Sequence, residues 1–185
     1  MKLIIIFGPH AVGKMTVGQS LSKLINIPLF HNHESIELAL SLLGEENKWK
    51  DLSNEIREVV FKHVSEAKGR GVIFTFMWAL DSQGDHEYIH YLEELFANQG
   101  GEVYYVELMA DKDVRIIRNQ TENRLREKPS KQDIKSSLDR FIKIEDKYRL
   151  NSYDHELSFK HYMKIDNTNL SPDEVANMIK EYFKL

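Results

Sequence analysis

Short apolar runs alternate with segments of helical periodicity along the whole chain. Five of these runs predict β-strands, and the first of them is apolar on both faces and rich in β-branched and aromatic residues, as buried parallel strands are. The predicted strands are Leu3 to Phe7, Ile27 to Phe30, Val72 to Trp78, Val103 to Leu108 and Tyr162 to Ile165. A regular alternation of strands and helices is typical of a three-layer α/β fold built around a parallel sheet.

Apolar residues at helical spacing fill the intervals between these strands. They predict helices over Lys14 to about Ile25, Ser35 to Leu43, Leu52 to Ala67, Tyr88 to Phe96, Lys112 to Leu125 and Ile134 to Tyr148. A final helix is expected after Ser171, where Pro172 and two acidic residues suit a first helical turn. No repeat, linker or biased segment interrupts this pattern, so we expect residues 1–185 to form one domain.

Charge and composition narrow the classes of partner and compartment. The formal net charge is -4 with 29% charged residues, and without a broad basic surface we expect neither a nucleic-acid nor a membrane partner. The chain has no cysteine, which excludes disulfides and thiolate catalysis and suits a reducing cytosol. The apolar run near the N-terminus is too short for a signal peptide or a membrane span. We therefore expect a cytoplasmic protein.

The loop between the first strand and the first helix indicates phosphate binding. Residues 7–16 read FGPHAVGKMT, which places Gly8, Gly13 and Lys14 at the spacing G-x-x-x-x-G-K. The glycines let the backbone approach phosphate, the helix N-terminus favours the anion, and the lysine reaches the β- and γ-phosphates. The backbone of the intervening Pro9, His10, Ala11 and Val12 is expected to surround the phosphates of a nucleotide.

Met15 departs from the pattern, which normally has a serine or threonine after the lysine. That hydroxyl coordinates the Mg²⁺ of the bound nucleotide. Thr16, one position later, is displaced from that place but can face the α-phosphate region and assist. Magnesium keeps several waters in nucleotide sites, so Met15 does not argue against metal binding. It makes the metal more dependent on water and on acids elsewhere in the chain.

The loop, the strand order and the length resemble the small P-loop kinases, which include shikimate kinase, gluconate kinase, adenylate kinase and chloramphenicol phosphotransferase. Adenylate kinases also have threonine two positions after the lysine, as in Lys14-Met15-Thr16. The resemblance implies a P-loop NTPase fold with a five-stranded parallel sheet in the order 2-3-1-4-5. It also implies ATP over the loop and a mobile lid at about residues 124–131.

The end of the second predicted strand indicates the acceptor site. Shikimate kinases place an Asp-x-Asp there, whereas this chain has His31 and His33. Two imidazoles cannot replace two carboxylates toward magnesium, although one could act as a general base or bind an acidic group. The histidines point away from shikimate as the acceptor. Two interpretations stay open for them: contact with the substrate, or polar residues at a strand end. Glu34 and Glu37 suit the start of the next helix.

An acidic residue is expected at the C-terminal end of another strand, because ligands of open α/β sheets bind there. The usual aspartate directly after the third strand is absent, and Asp81 follows Trp78 instead. Our hypothesis is that Asp81 binds metal or substrate, while Met77 and Trp78 wall the acceptor pocket. The alternative is that Asp81 caps a helix and Trp78 belongs to the core.

Basic residues are concentrated between residues 115 and 131 of an otherwise acidic chain: Arg115, Arg118, Arg124, Arg126, Lys128 and Lys131. Arginines carried by a closing lid commonly stabilise the charge that develops on a transferred phosphoryl group. The resemblance suggests Arg118 near the adenine and Arg124 or Lys128 toward phosphate. A solvated helix face is the alternative for any one of them.

The polar turn after the last strand completes the expected nucleotide site. In the kinases that the chain resembles, this turn lies along the adenine and contacts it through backbone groups. Asn167, Thr168 and Asn169 are therefore the expected neighbours of the base.

The function predicted from these features is transfer of the γ-phosphate of ATP, with Mg²⁺, to a hydroxyl of a small molecule. Lys14, Arg124, Asp81 and His33 are the candidate catalytic residues. A nucleotide-binding switch with little transfer activity is an alternative that fits the altered metal residues. A kinase acting on RNA is disfavoured by the net charge of -4.

Overall fold

A computed structural model describes residues 1–67, 69–131 and 133–185, apart from the side chains of residues 123, 124, 127 and 131. Within these ranges the strands are β1 Lys2–Phe7, β2 Leu29–His31, β3 Gly71–Phe76, β4 Glu102–Met109 and β5 Tyr162–Asp166. Every neighbouring pair is parallel, and the order across the sheet is β2-β3-β1-β4-β5. The structure therefore confirms the predicted parallel sheet and its order.

Helices connect the strands in the alternation that the sequence predicts. They are α1 Lys14–Ile25, α2 His33–Leu43, α3 Trp49–Glu66, α4 Gln83–Ala97, α5 Lys112–Arg118, α6 Glu122–Glu127, α7 Ile134–Lys147 and α8 Pro172–Phe183. A short 3-10 helix, Pro129–Lys131, lies between α6 and α7. The cap expected for α8 is present, because Ser171 and Glu174 form a capping box. Among the helices of the described ranges, none is long and apolar enough to cross a membrane.

The predicted helix from Lys112 to Leu125 is wrong in one respect, since the structure divides it in two. α5 ends at Arg118 and α6 begins at Glu122. The side chain of Asn119 is buried and donates a hydrogen bond to Ser137 Oγ at 3.2 Å, and Thr121 Oγ1 donates to the carbonyl of Arg118 at 3.1 Å. These side-chain bonds compete with the helical pattern and end α5. Arg118 consequently lies at the end of a helix.

Both faces of the central strand are buried. Ile4 and Ile6 pack into one cluster with residues of α1 and α8, while Leu3, Ile5 and Phe7 pack into a second cluster with residues of α3 and α4. All five side chains are fully buried. The apolar character of both faces of this segment follows from its place in the middle layer. The chain leaves this strand directly into the phosphate loop at Gly8.

Gly8 joins β1 to the loop where only a glycine fits. Its φ is 137°, and a Cβ at this position would lie 2.2 Å from the carbonyl oxygen of Leu108 in β4. We expect Gly8→Ala to lower the free energy of unfolding by about 2–3 kcal/mol, because the clash is with backbone and the φ is strained for alanine. Chemical denaturation measures this loss.

The matched control is Gly84→Ala in α4. A Cβ at Gly84 would have no atom within 4 Å, and alanine is favoured over glycine inside a helix by about 0.5–1 kcal/mol. We expect the control to be as stable as the wild type or slightly more so. Equal stability of the two variants would contradict the close approach of Gly8 to β4.

Candidate active site

A cavity of about 750 Å³ opens at the carboxyl ends of the strands and extends from the phosphate loop to α2. Ligands bind at this edge in open α/β sheets. The predicted site residues that line it are His10, Ala11, Val12, Gly13, Lys14, Met15, Thr16, His33, Met77, Arg118, Lys128 and Asn167. The structure therefore brings the phosphate loop, the end of β2, the basic segment and the turn after β5 to one space.

The phosphate loop is curled by three residues with positive φ: Gly8 at 137°, Ala11 at 54° and Gly13 at 105°. Lys14 Nζ lies across the loop and donates to the carbonyl oxygens of Gly8 and Pro9, at 2.7 Å and 2.6 Å. Gly13 is the N-cap of α1, so the N-terminus of that helix faces the cavity. Backbone N–H groups at a helix N-terminus beside a lysine form a binding place for an anion such as a phosphate group.

The residues after Lys14 determine how a metal could be held. Thr16 Oγ1 donates to the carbonyl of Gly13 at 2.9 Å, and Met15 is buried against the cavity with 6% of its surface exposed. Among the described residues no group of three or more His, Asp or Glu side chains is placed to hold a metal ion. Mg²⁺ requires oxygen ligands and accepts water and phosphate oxygens among them. Thr16 Oγ1 is thus the side-chain oxygen that residues 14–16 offer to such an ion, and its other ligands would be water or phosphate oxygens.

Arg118 connects the phosphate loop to the turn after β5. Its guanidinium donates to the carbonyls of Asn167 at 2.8 Å, Thr168 at 3.1 Å and Val12 at 3.4 Å. Asn167 Nδ2 donates to the same carbonyl of Val12 at 2.8 Å. Burial lowers the pKa of Arg118 from its ordinary value, but a guanidinium remains charged at neutral pH. Arg118 and Asn167 both line the cavity, and the contact with adenine that the resemblance implies for them stays a prediction.

Thr168 and Asn169, also predicted as neighbours of the base, are outside the lining of the cavity. Thr168 Oγ1 donates to Asp166 Oδ1 at 2.7 Å and accepts from the backbone N–H of Asp111 at 3.0 Å. Its hydroxyl is therefore used to join the turn to the start of α5. In this turn only the side chain of Asn167, among the three predicted residues, reaches the cavity.

The basic segment does not act as one cluster. Arg115 is buried and forms a bidentate ion pair with Glu145 of α7, with both N–O distances at 2.8 Å. Arg115 therefore fastens α5 to α7 and is not placed for phosphate. Lys128 lines the cavity, as does Arg140 of α7, which the sequence did not single out. The side chains of Arg124 and Lys131 lie outside the described residues, so the role predicted for Arg124 stays a prediction.

His33 is the first residue of α2 and lines the same cavity as the phosphate loop. Its Nδ1 is 2.9 Å from Glu37 Oε1, one helical turn along. Glu37 also accepts hydrogen bonds from the backbone N–H of Ser130 at 3.0 Å and from its hydroxyl at 2.6 Å. Burial alone would raise the pKa of the Glu37 carboxyl, but the bonds from His33 and Ser130 hold the pKa below its ordinary value. The sequence predicted only a helix-start role for Glu37 and missed Ser130.

His31 does not share this position. Its ring is buried, outside the cavity, with Nε2 3.8 Å from Glu34 Oε1. Glu34 Oε1 also accepts the backbone N–H of His31 at 2.9 Å, so Glu34 stabilises the start of α2 as expected. The substrate contact predicted for His31 is not supported by this placement, because β2 ends at His31 and the chain turns into α2 at His33, so the two side chains have different surroundings.

Trp78 and Asp81 do not lie where the sequence predicted, which was at the acceptor pocket. β3 ends at Phe76, two residues before the predicted end, and Met77 lines the cavity while Trp78 turns away into the core. The indole is 1% exposed and packs on Phe7 with ring centroids 5.1 Å apart. The Asp81 carboxylate accepts from the backbone N–H of Arg149 at 3.1 Å, outside the cavity. Neither residue is placed to hold substrate or metal.

Several lining residues were missed by the sequence reasoning: Asn32, Ile36, Leu40, Glu45, Trp49, Lys50, Thr75, Phe76, Ser130 and Arg140. One signal could have found two of them. His33, Ile36 and Leu40 are spaced at i, i+3 and i+7, so they share one face of α2. If His33 faces the cavity, Ile36 and Leu40 are expected to face it too, because they lie on the same side of the helix.

The contact between Glu37 and Ser130 predicts a pH-dependent stability. Because the pKa of Glu37 is lowered in the folded protein, its contribution is complete above the ordinary glutamate value of about 4.3 and is lost as the pH falls through the lower folded value. We expect Glu37→Gln to lower the free energy of unfolding by about 1 kcal/mol near neutral pH. The difference from the wild type should disappear in acid. Denaturation curves between neutral pH and pH of about 3 measure it.

Glu46→Gln is the control, because Glu46 is exposed in the segment after α2. Its stability should follow that of the wild type over the whole pH range. If the difference between Glu37→Gln and the wild type were the same in acid as at neutral pH, the bonds to the ionised carboxylate would not be the source of the stabilisation.

Comparison with solved structures gives the fold class. A presumed kinase from Chloroflexus aurantiacus j-10-fl has a TM-score of 0.65 at 15% identity, over 99% of this chain and 96% of that chain. The APS kinase CysC from Mycobacterium tuberculosis, in complex with AMPPNP and APS, has a TM-score of 0.58 at 12% identity over 100% and 98%. A gluconokinase from Sinorhizobium meliloti 1021 has a TM-score of 0.56 at 12% identity over 99% and 91%.

No protein-family model matches the sequence, and a search of curated proteins finds no match. The identities to the solved structures are low, so the likeness is one of fold. The chain has the fold of the small P-loop kinases over nearly its whole length, which confirms the resemblance seen in the sequence.

Proposed function

We propose that this protein is a small-molecule kinase, which transfers the γ-phosphate of ATP to a hydroxyl group. One observation carries the proposal: a single cavity is lined both by the phosphate loop with Lys14 and by His33, whose ring contacts Glu37. A phosphate donor and a proton acceptor are the two parts that such a transfer needs. The kinase fold of the comparison structures supports the same reaction class.

The donor end binds the nucleotide. Lys14 exchanges its contacts with the carbonyls of Gly8 and Pro9 for the β- and γ-phosphates, and the N-terminus of α1 binds them through backbone N–H groups. Arg118 and Asn167 adjoin the base. Positioned cations stabilise the charge that spreads over the γ-phosphate oxygens during transfer. Lys128 and Arg140 line the cavity for this purpose, and the resemblance adds Arg124.

The acceptor end activates the hydroxyl. His33 Nε2 takes the proton of the hydroxyl while its oxygen forms a bond to the γ-phosphorus. The bond between that phosphorus and the bridging oxygen of ADP breaks, and ADP leaves with the electron pair. Glu37 holds Nδ1 of the ring at 2.9 Å and stabilises the imidazolium that forms. A carboxylate behind a histidine thus fills the place where the shikimate kinases have carboxylates alone.

We propose that magnesium enters the site bound to ATP. Bound to the phosphates, it neutralises part of their charge. Thr16 is the nearest loop hydroxyl after Lys14 in the chain, and the remaining ligands would be water and phosphate oxygens. In the proposed enzyme residues 124–131 close over the bound nucleotide, and residues 1–185 form one domain. We further propose that the protein is cytoplasmic and binds neither membranes nor nucleic acids.

The direct test is a search for an acceptor. The purified chain is incubated with ATP, Mg²⁺ and pooled hydroxyl-bearing metabolites, and mass spectrometry identifies any compound that gains one phosphate. We expect at least one acceptor with the wild type and, over the same incubation time, far less of its phosphorylated product with Lys14→Met. ATP hydrolysis without any phosphorylated acceptor over broad pools would refute the kinase.

A nucleotide-dependent switch is the second candidate function. It is favoured by the missing set of metal-binding carboxylates among the described residues and by the hydrogen bonds that join Ser130 to α2. Such a contact could change with the bound nucleotide. A partner protein captured with an ATP analogue but not with ADP would favour the switch, whereas phosphorylation of an acceptor favours the kinase.

A further inference from the structure

The acceptor end of the cavity has an apolar wall made of five side chains. Two belong to α2, one to the start of α3 and two to the end of β3 and the residue after it: Ile36, Leu40, Trp49, Phe76 and Met77. Phe76 is buried, and the other four are half-buried, so part of each faces the open space. Apolar surface that is retained in a cavity favours an apolar ligand group.

The polar atoms of this end are concentrated at one point. His33 lies there with Asn32 and Thr75, and the backbone N–H of Asn32 donates to Thr75 Oγ1 at 3.2 Å. The Asn32 side-chain oxygen accepts from Arg57. From His33 the same face of α2 continues to Ile36 and Leu40, which are apolar. A ligand that places its hydroxyl at His33 would therefore lay the rest of its body on apolar side chains.

Apart from His33, the ionisable residues that line the cavity from α2 to the start of α3 are exposed. Glu45 and Lys50 line the cavity there and are both exposed. Arg57 of α3 is a half-buried cation that bonds to Asn32 and Asn54, stacks 5.4 Å from the ring centroid of Tyr88 and lies outside the lining. Among the described residues this wall thus presents no buried cation for a carboxylate. A polyol would leave most of its hydroxyls unpaired against it.

We infer that the acceptor is an uncharged alcohol that carries a hydrophobic ring, not a polyol or a sugar acid. The ring lies against Ile36, Leu40 and Trp49, and the hydroxyl lies at His33. This inference rests on the proposed function, because it takes the His33 end of the cavity as the acceptor end. Aromatic and aliphatic side chains are the surroundings in which a ring gains the most from leaving water.

The test measures binding and transfer separately. Calorimetric titrations in the presence of ADP compare 3-phenyl-1-propanol and cyclohexylmethanol with glycerol, gluconate and shikimate. We expect the ring alcohols to bind at least about tenfold more tightly. Of the two tryptophans, Trp49 lines the cavity and Trp78 is buried outside it. A change in tryptophan fluorescence on titration should therefore report occupation of this wall.

Leu40→Gln tests the wall, and Leu42→Gln is its matched control. Leu42 is on the same helix but is 67% exposed and outside the cavity. We expect about a tenfold loss of affinity for the ring alcohols in Leu40→Gln and no change in Leu42→Gln. Unchanged affinity for ADP in both variants shows that the fold is retained, and Trp49 is present in both as the reporter.

The outcomes separate the inference from the proposed function. Tighter binding of the ring alcohols, their phosphorylation with ATP and the loss in Leu40→Gln support both. Phosphorylation of gluconate, shikimate or glycerol in preference to the ring alcohols overturns the inference and leaves the kinase intact. Ring alcohols that bind at the wall without any phosphorylated product in either set support a ring-bearing ligand for this wall, but they refute the kinase and with it the role of that ligand as acceptor. Failure of the ring alcohols to bind overturns the inference.

Discussion

Replacing Lys14 by methionine is expected to lower the rate of phosphoryl transfer from ATP by about two to three orders of magnitude. Lys14 Nζ is held at the centre of the phosphate loop by the carbonyls of Gly8 and Pro9, 2.7 Å and 2.6 Å away. From there it can reach the β- and γ-phosphates as charge develops on them. Methionine keeps the length and flexibility of the side chain and removes its charge. The measurement is single-turnover formation of phosphorylated acceptor, with ADP release as the second readout.

Lys23→Met is the control, because Lys23 is exposed in the last turn of the same helix. We expect its transfer rate to equal that of the wild type. Thermal denaturation of both variants checks that neither effect comes from unfolding. A Lys14→Met enzyme that transfers phosphate at the wild-type rate would exclude this loop as the donor site, whatever the fold.

His33→Asn is expected to lower kcat by about two to four orders of magnitude with a much smaller change in KM. Asparagine retains a polar group near Glu37 but cannot accept the proton of the acceptor hydroxyl. The variant should also lose the dependence of kcat on pH between about 5 and 8 that a histidine base produces. Steady-state kinetics with an identified acceptor over this pH range tests both statements.

Two further variants define the role of His33. Glu37→Gln should retain the base and weaken its orientation, with about a tenfold loss in kcat and a displaced pH profile. His90→Asn is the control, because His90 is 68% exposed on α4, outside the cavity. Wild-type kcat and pH dependence in His33→Asn would leave His33 as a wall residue and remove it from the chemistry.

The sheet and the donor site could be predicted because their signals are local and strong. The apolar runs of β1 and β4 are buried on both faces, and such runs predict central strands without knowledge of their partners. The phosphate loop is a contiguous motif, so the spacing alone indicates Gly13 and Lys14, and the structure has both at the start of α1 in the lining of the cavity. The strand order followed from the resemblance that this motif supports, and the structure confirms it.

The acceptor site depended on finer and more distant features. The end of β3 at Phe76 determines which of the following residues face the cavity. The predicted strand ended two residues later, at Trp78, so both Met77 and Trp78 were assigned to the cavity wall. The bond between Glu37 and Ser130 joins residues 93 positions apart. Such a contact leaves the local hydrophobic pattern unchanged. From the sequence, Glu37 therefore resembles any surface glutamate and Ser130 any loop serine, although the two side chains are hydrogen-bonded in the structure.

The prediction that the basic residues between 115 and 131 act together was wrong for Arg115, and the reason is similar. The charge of Arg115 is visible in the sequence, but its ion pair with Glu145, 30 positions away, is not. The break after Arg118 depends on the contact of Asn119 with Ser137 in α7. Tertiary contacts therefore determined which arginine is structural and which adjoins the cavity, and composition alone could not separate them.

Hydrogen bonds to main-chain carbonyl oxygens connect the phosphate loop to Lys14, Arg118 and the turn after β5, and they limit how far sequence change disturbs these segments. Arg118 and Lys14 bind carbonyl oxygens of residues 8, 9, 12, 167 and 168, and every amino acid has such an oxygen. Apart from Gly8, where only a glycine fits, substitutions at these positions leave the carbonyl oxygens in place, so selection on these bonds sets few limits on side-chain identity there. A site fastened through its main chain is consistent with a fold shared with solved kinases at 12–15% identity.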